Sequence, residues 1–191
     1  MKVEKGQSGY LKALKTKYLS WALAEFAVVA AILILGYLRT NTKQNLFTVV
    51  AVVGCLPAAK MLVEFILVYP HKGIEPERYQ EIEAKAPLVM RLYDMLITST
   101  QKAMPVDALV ISGHVVCGFS SSQRTDEAAL AQHIKSVLRD NGYDKMTVKV
   151  FHDYSMFLAR AEGLNNIAAV ECPEDDRRER EIRKILFGIA M

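Results

Sequence analysis

Cysteine is scarce: Cys55, Cys117 and Cys172 are the only three in 191 residues, and no two of them stand in a Cys-x-x-Cys pair. Small secreted domains staple themselves with an even, closely spaced set, so a disulfide scaffold is excluded and all three thiols are expected reduced. No glycine-rich phosphate loop, His-Glu-x-x-His or Gly-x-Ser-x-Gly motif is present, which removes the common signatures of nucleotide binding, zinc peptidases and serine hydrolases. No internal repeat or low-complexity stretch occurs. Charge is missing from two long stretches. Leu19–Leu38 contains Glu25 alone, and Asn45–Pro70 contains only Lys60 and Glu64, whereas the 121 residues after Pro70 are rich in Glu, Lys, Arg and Asp.

Twenty helical residues rise about 30 Å, the thickness of a bilayer's hydrocarbon core, so residues 19–38 and 46–69 are each long enough to cross it. The polar link of residues 39–45 is short and joins them as antiparallel neighbours. A cleaved signal peptide is the competing reading for the first stretch. Its length, Glu25 and the second apolar stretch behind it argue against cleavage. The expected architecture is a two-helix membrane hairpin over residues 19–70, preceded by a basic segment over 1–18 and followed by a soluble α+β or α/β domain over 71–191.

Lys2, Lys5, Lys12, Lys15 and Lys17 precede the first span, while the link carries Arg39 and Lys43. The positive-inside rule then keeps the N-terminus in the cytoplasm, and two spans return the C-terminal domain to the same side. A bacterial plasma membrane is the expected location. The net charge of +3 is accounted for by the N-terminal lysines, which suit anionic lipid headgroups, so nucleic acid is not favoured as a partner.

Ionisable groups in a span face protein, water or an opposite charge. Equal rise from the 39–45 link puts Glu25 level with Lys60, and Glu64 lies one turn from Lys60, so a Glu25–Lys60–Glu64 cluster is expected near the cytoplasmic half. Its functional reading is an ion or proton path or a docking point for another membrane subunit, and its simpler one is snorkelling of Lys60 and Glu64 with neutralisation of Glu25.

After the hairpin, Pro76 and the flanking Glu75 and Glu77 open a helix that runs to about Lys85. Pro87 then starts a second helix with apolar Leu88, Leu92, Met95 and Leu96. Val106–Ile111 and His114–Phe119 form a β-hairpin about Ser112-Gly113. Thr125 caps a helix that ends at Asn141-Gly142, Met146–Phe151 alternates as a strand, Tyr154–Glu162 is a short helix, and Ile167–Glu171 is an optional strand. Pro173 opens a terminal helix with a basic outer face. The order is α-α-β-β-α-β-α-(β)-α.

Few residues point to chemistry. His114 and Cys117, three apart on a strand, lie on opposite faces and make a poor metal pair, so no metal or other cofactor is expected. His152 and Asp153 follow a strand end and read either as a small site or as a helix cap. Ser120, Ser121, Ser122 and Arg124 precede a helix and read either as an anion nest or as a solvated loop. A helix, a β-hairpin carrying Asp107, a helix and a third strand is loosely similar to the core of restriction-endonuclease-like domains. In those, the strand after the acid carries an acid-x-Lys pair that holds a metal, but here it reads Val115 to Phe119 with neither. The resemblance therefore implies at most a binding-only version, with Asp107 as the one position carried across.

Three functions are compatible with this pattern. The first is a membrane-anchored interaction domain that binds a protein, a second copy of itself or the lipid surface. The second is a tethered enzyme or nuclease-like domain acting on nucleic acid or a phosphorylated ligand through Asp107, Arg124, His152 and Asp153. The third is a subunit of a larger membrane complex.

Overall fold

The computed structural model describes residues 4–40, 46–99, 102–171 and 177–191. Two units are distinguished: residues 12–70, and residues 4–11 together with 71–191.

The first unit is formed by α1 (Tyr10–Thr40) and α2 (Leu46–Val68). Both are long and apolar enough to cross a membrane. Helix α1 starts well before Leu19, so Lys12, Lys15 and Lys17 lie on the helix. Buried positions recur every seven residues, at Ala22, Val29 and Gly36 on α1 and at Ala51 and Ala58 on α2. This is the spacing of two helices packed along a seam. Small residues let it close, and Val29 sits so near Gly54 that a Cβ there would meet its Cγ2 at 3.3 Å.

The second unit is a mixed four-stranded sheet with helices on both faces. Its elements are α3 (Pro76–Lys85), β1 (Met90–Thr98), β2 (Ala103–Ser112), β3 (Val115–Phe119), α4 (Glu127–Asp140), β4 (Thr147–Phe151), α5 (Tyr154–Glu171) and α6 (Arg177–Ile189). The strands lie in the order β1-β2-β3-β4, with β1, β2 and β3 antiparallel and β3 parallel to β4. Gly113, at φ +52°, makes the tight turn between β2 and β3 that Ser112-Gly113 predicts. One face carries α4 and α6 through Leu130, Ile134, Leu138, Ile182 and Leu186. The other carries α3 and α5 through Ile82, Phe157, Ala161 and Leu164.

Three expectations are corrected. Residues 90–98 form β1 and not a helix, because this run is buried on both faces and pairs along its length with β2. Residues 167–171 continue α5 and form no strand. Asn165 within this helix is buried, and its Oδ1 accepts the Leu88 amide at 2.8 Å. The cap of α4 is Asp126, whose Oδ1 accepts the amides of Ala128 and Ala129, one residue beyond Thr125. The expected helix start at Pro173 lies outside the described residues.

The outer edge of β1 does not face solvent unpaired. Tyr93 donates its amide to Gly6 O at 2.8 Å, Met191 donates to Leu96 O at 2.9 Å, and Ile97 bridges Ala190. Both ends of the chain thus cover an edge that would otherwise recruit strands from other molecules. Lys5 holds the two together, donating from Nζ to Phe187 O at 2.6 Å and to Ala190 O at the C-terminal end of α6.

Candidate functional site

Strands alternate their faces, but β1 and β2 both break step at one level. Leu92 and Met95, three apart, pack on the α4/α6 face, and so do Val106 and Leu109. The residues between the flanking pairs Tyr93↔Ala108 and Met95↔Val106 are Asp94 and Asp107, which therefore oppose each other in the ladder. Asp94 has φ +53°, a left-handed conformation that costs a non-glycine residue energy unless its surroundings hold it there. Both carboxyls are almost fully buried, at 1% and 4% exposure.

Two hydrogen bonds help to hold Asp94 there. Its Oδ2 accepts the Gly9 amide at 2.6 Å and its Oδ1 accepts the Ile74 amide at 2.7 Å. Gly9 directly precedes α1 and Ile74 lies six residues after α2. One carboxyl thus fastens the chain to the sheet on both sides of the apolar hairpin. Gly73 is required beside it, since a Cβ there would stand 2.7 Å from Oδ2.

Asp107 lines a neighbouring pocket of about 80 Å³ with Lys72, Gly73, Glu75, Arg78, Phe119 and Ser121. Its Oδ2 accepts the Ser121 amide at 2.6 Å. Burial raises its pKa above the usual carboxylate range, and nearby Glu75 acts in the same direction. The Ser121 hydrogen bonds and the Arg78 charge oppose the rise without cancelling it. Arg78 is itself fixed, by an ion pair to Glu75 at 3.0 Å and by the faces of Phe119 and Tyr154, 5.5 and 5.0 Å from its guanidinium carbon. This pocket can hold water or a group that donates hydrogen bonds.

The other candidates do not join it. His152 sets Nδ1 2.7 Å from Ser120 O and Nε2 2.8 Å from Thr125 O. With both ring nitrogens turned to backbone acceptors, it latches the loop before α4 to the end of β4. Asp153 caps α5, its Oδ1 accepting the Ser155 hydroxyl at 2.9 Å and the amides of Met156 at 3.3 Å and Ser155 at 2.8 Å, and these bonds hold its pKa below the usual range. Ser120 is buried and donates to Pro105 O at 2.7 Å. Ser122 bonds the Thr125 amide through its carbonyl at 3.0 Å. Arg124 lines a separate pocket of about 160 Å³ with Lys102 and Asp126. Asp107, Arg124, His152 and Asp153 therefore do not converge on one site.

Among the described residues no group of three or more His, Cys, Asp or Glu is placed to hold a metal ion. The element order behind the endonuclease likeness is present, with β1 added ahead of the hairpin, but β3 from Val115 to Phe119 carries neither acid nor lysine. No second acid stands there.

In the helical unit, Glu25 lies along the seam and its Oε2 is buried without a hydrogen-bond partner. Lys60 is exposed. None of the ion pairs among the described residues joins Glu25, Lys60 or Glu64, so the cluster inferred from depth is not assembled. The reason is angular: buried Ala58 defines the seam on α2, and Lys60, two residues on, points about 200° away.

Comparison with protein-family models, with curated proteins and with solved structures finds no match.

Proposed function

We propose that this chain is an integral membrane protein whose sheet domain is a cytoplasmic interaction module, anchored by α1 and α2. The observation that carries the reading is the surface of those helices. Of their most apolar windows only 17% and 11% is buried within the chain, and Leu23, Ile34, Val52 and Leu56 are each more than half exposed. In water this surface far exceeds the few hundred Å² that soluble monomers leave open, whereas lipid solvates it and the helices satisfy their own backbone hydrogen bonds. The lysines at the start of α1 favour an inside N-terminus, and two spans return the sheet domain to that side. A binding role is favoured over catalysis by the separation of Asp107, Arg124, His152 and Asp153. Exposed Arg177, Arg180 and Lys184 on α6 add positive charge suited to anionic headgroups.

Alkaline carbonate extraction of membranes from expressing cells, combined with single-cysteine labelling, tests both parts. The full chain is expected to stay in the pellet. A Gln44→Cys variant should react with an impermeant maleimide from outside and a Lys72→Cys variant only after permeabilisation. Release by carbonate would overturn the anchoring, and the reverse labelling pattern would overturn the orientation.

A further inference from the structure

The pocket beside Asp107 carries charge of both signs, graded from floor to mouth. Asp107 is buried at its floor, Arg78 on its wall is half-buried, and Lys72 and Glu75 are exposed at its rim. Two acids and two bases leave the lining without net charge. These charges do not all answer one another. Among the described residues Glu75 pairs with Arg78, but no ion pair joins Asp107 to Arg78 and none uses Lys72. The donors to Asp107 among those residues come from Ser121, through its amide and its side chain. An ionised carboxylate offers about four lone-pair sites, so at least two remain for a further donor. The volume of about 80 Å³ is several times the roughly 15 Å³ that one water needs, and buried Phe119 gives the pocket an apolar wall.

We propose that this pocket binds a small zwitterion, with a primary ammonium against Asp107 and an anionic group against Arg78 and Lys72, and that its source is the phosphoethanolamine head of a membrane lipid. The grading of burial sets the orientation. An ammonium brings three N–H donors to the acid at the floor, and the methylenes behind it lie along Phe119. The phosphate stays at the rim, beside Lys72. Arg78 meets Glu75 through Nε and is held by the rings of Phe119 and Tyr154, which leaves its terminal nitrogens to donate to that phosphate. A lone cation or a lone anion would be attracted at one end of the pocket and opposed at the other. The lipid source follows from chain length. Lys72 stands four residues beyond Val68, the last residue of α2. Four extended residues reach at most about 14 Å, so the rim is within reach of the headgroup layer that borders a spanning helix. In that respect the inference rests on the membrane anchoring proposed above.

Native mass spectrometry of the full chain in detergent tests it with three lipids of identical dioleoyl chains. These are phosphatidylethanolamine, phosphatidylcholine, whose nitrogen carries three methyls and no N–H, and phosphatidylglycerol, which has no cation. Phosphatidylethanolamine is expected to bind at least tenfold more tightly than either of the others. Asp107→Asn should abolish that preference. Lys72→Ala should weaken phosphatidylethanolamine binding at least threefold, and its exposed position decides the matter where Asp107→Asn does not fold. Equal binding of the three lipids by the parent, or an undiminished preference in Lys72→Ala or in folded Asp107→Asn, would overturn the proposal. Glycerophosphoethanolamine, the same head without acyl chains, should displace the lipid. Displacement by free glycine at a lower concentration would show an amino acid to be the zwitterion and overturn the lipid source. Carbonate extraction reports anchoring separately. A chain that pellets without the lipid preference refutes the pocket assignment alone, and a chain that carbonate releases refutes the anchor, while glycerophosphoethanolamine binding still decides the pocket.

Discussion

Asp94 accepts the amide of Gly9 at 2.6 Å, and its other oxygen accepts that of Ile74, so two segments 65 residues apart share one buried carboxyl. Asp94→Ala leaves both amides without their acceptor. At about 1–3 kcal/mol for each unsatisfied buried donor, the loss is about 2–6 kcal/mol. Hydrogen exchange on the full chain in detergent should show residues 5–11 and 71–76 losing protection together. Loss in one segment alone would mean that the two are fastened independently.

Gly73 should be intolerant for a reason separate from backbone freedom. A Cβ there stands 2.7 and 2.8 Å from the two oxygens of Asp94, closer than van der Waals contact allows. Gly73→Ala must displace the carboxyl or the 71–76 segment, at an overpacking cost of about 1–3 kcal/mol. In the Asp94→Ala background that clash is gone. A double-mutant cycle by denaturant titration should therefore show strong coupling, and additive losses would contradict the geometry.

For Asp107 the pH dependence has a definite sign. Its native pKa is raised above that of an ordinary aspartate, chiefly by burial. Between the unfolded and native values the native state binds more protons, so this residue's contribution is greatest at low pH and declines as pH rises through the raised native pKa. Asp107→Asn removes that slope. Denaturant midpoints of the full chain measured from pH 4 to 7 should differ between the two proteins, with the variant gaining relative to the parent as pH rises. Parallel profiles would show that Asp107 is not the group responsible.

Much of the sheet domain is legible in its residues, and the misreading of β1 has one physical origin. The β2–β3 turn, the α4 stripe and β4 follow from turn chemistry and from the 3.6 and 2 periodicities. Strand β1 does not, because left-handed Asp94 puts Leu92 and Met95 on one face, the three-residue spacing of a helix. The same misreading hides Asp94, although an aspartate inside the apolar run from Leu92 to Ile97 signals a buried acid in need of donors. Asp107 stands out in the sequence through the endonuclease likeness, while its observed partners, Ser121 and Arg78, come from segments that only the fold brings together. In the hairpin, the length of the link gives depth but not direction. The seven-residue recurrence of Ala22, Val29 and Gly36, and of Ala51 and Ala58, would have set Glu25 on the seam and Lys60 off it.

That distinction separates two variants whose effects the paired arrangement would make equal. With Oε2 buried and without a partner along the seam, Glu25 is a polar group held in an apolar contact. Replacing it by leucine fills the same space without the desolvation cost, so Glu25→Leu should stabilise the hairpin by about 1–3 kcal/mol. Lys60 is exposed and touches none of this, and Lys60→Ala should leave hairpin stability unchanged. Unfolding of the full chain in mixed micelles, followed by a fluorophore pair reporting on α1 and α2, measures both. Were Glu25 neutralised by Lys60, each substitution would strand the other charge and both would destabilise. Opposite outcomes at the two positions are what the seam requires.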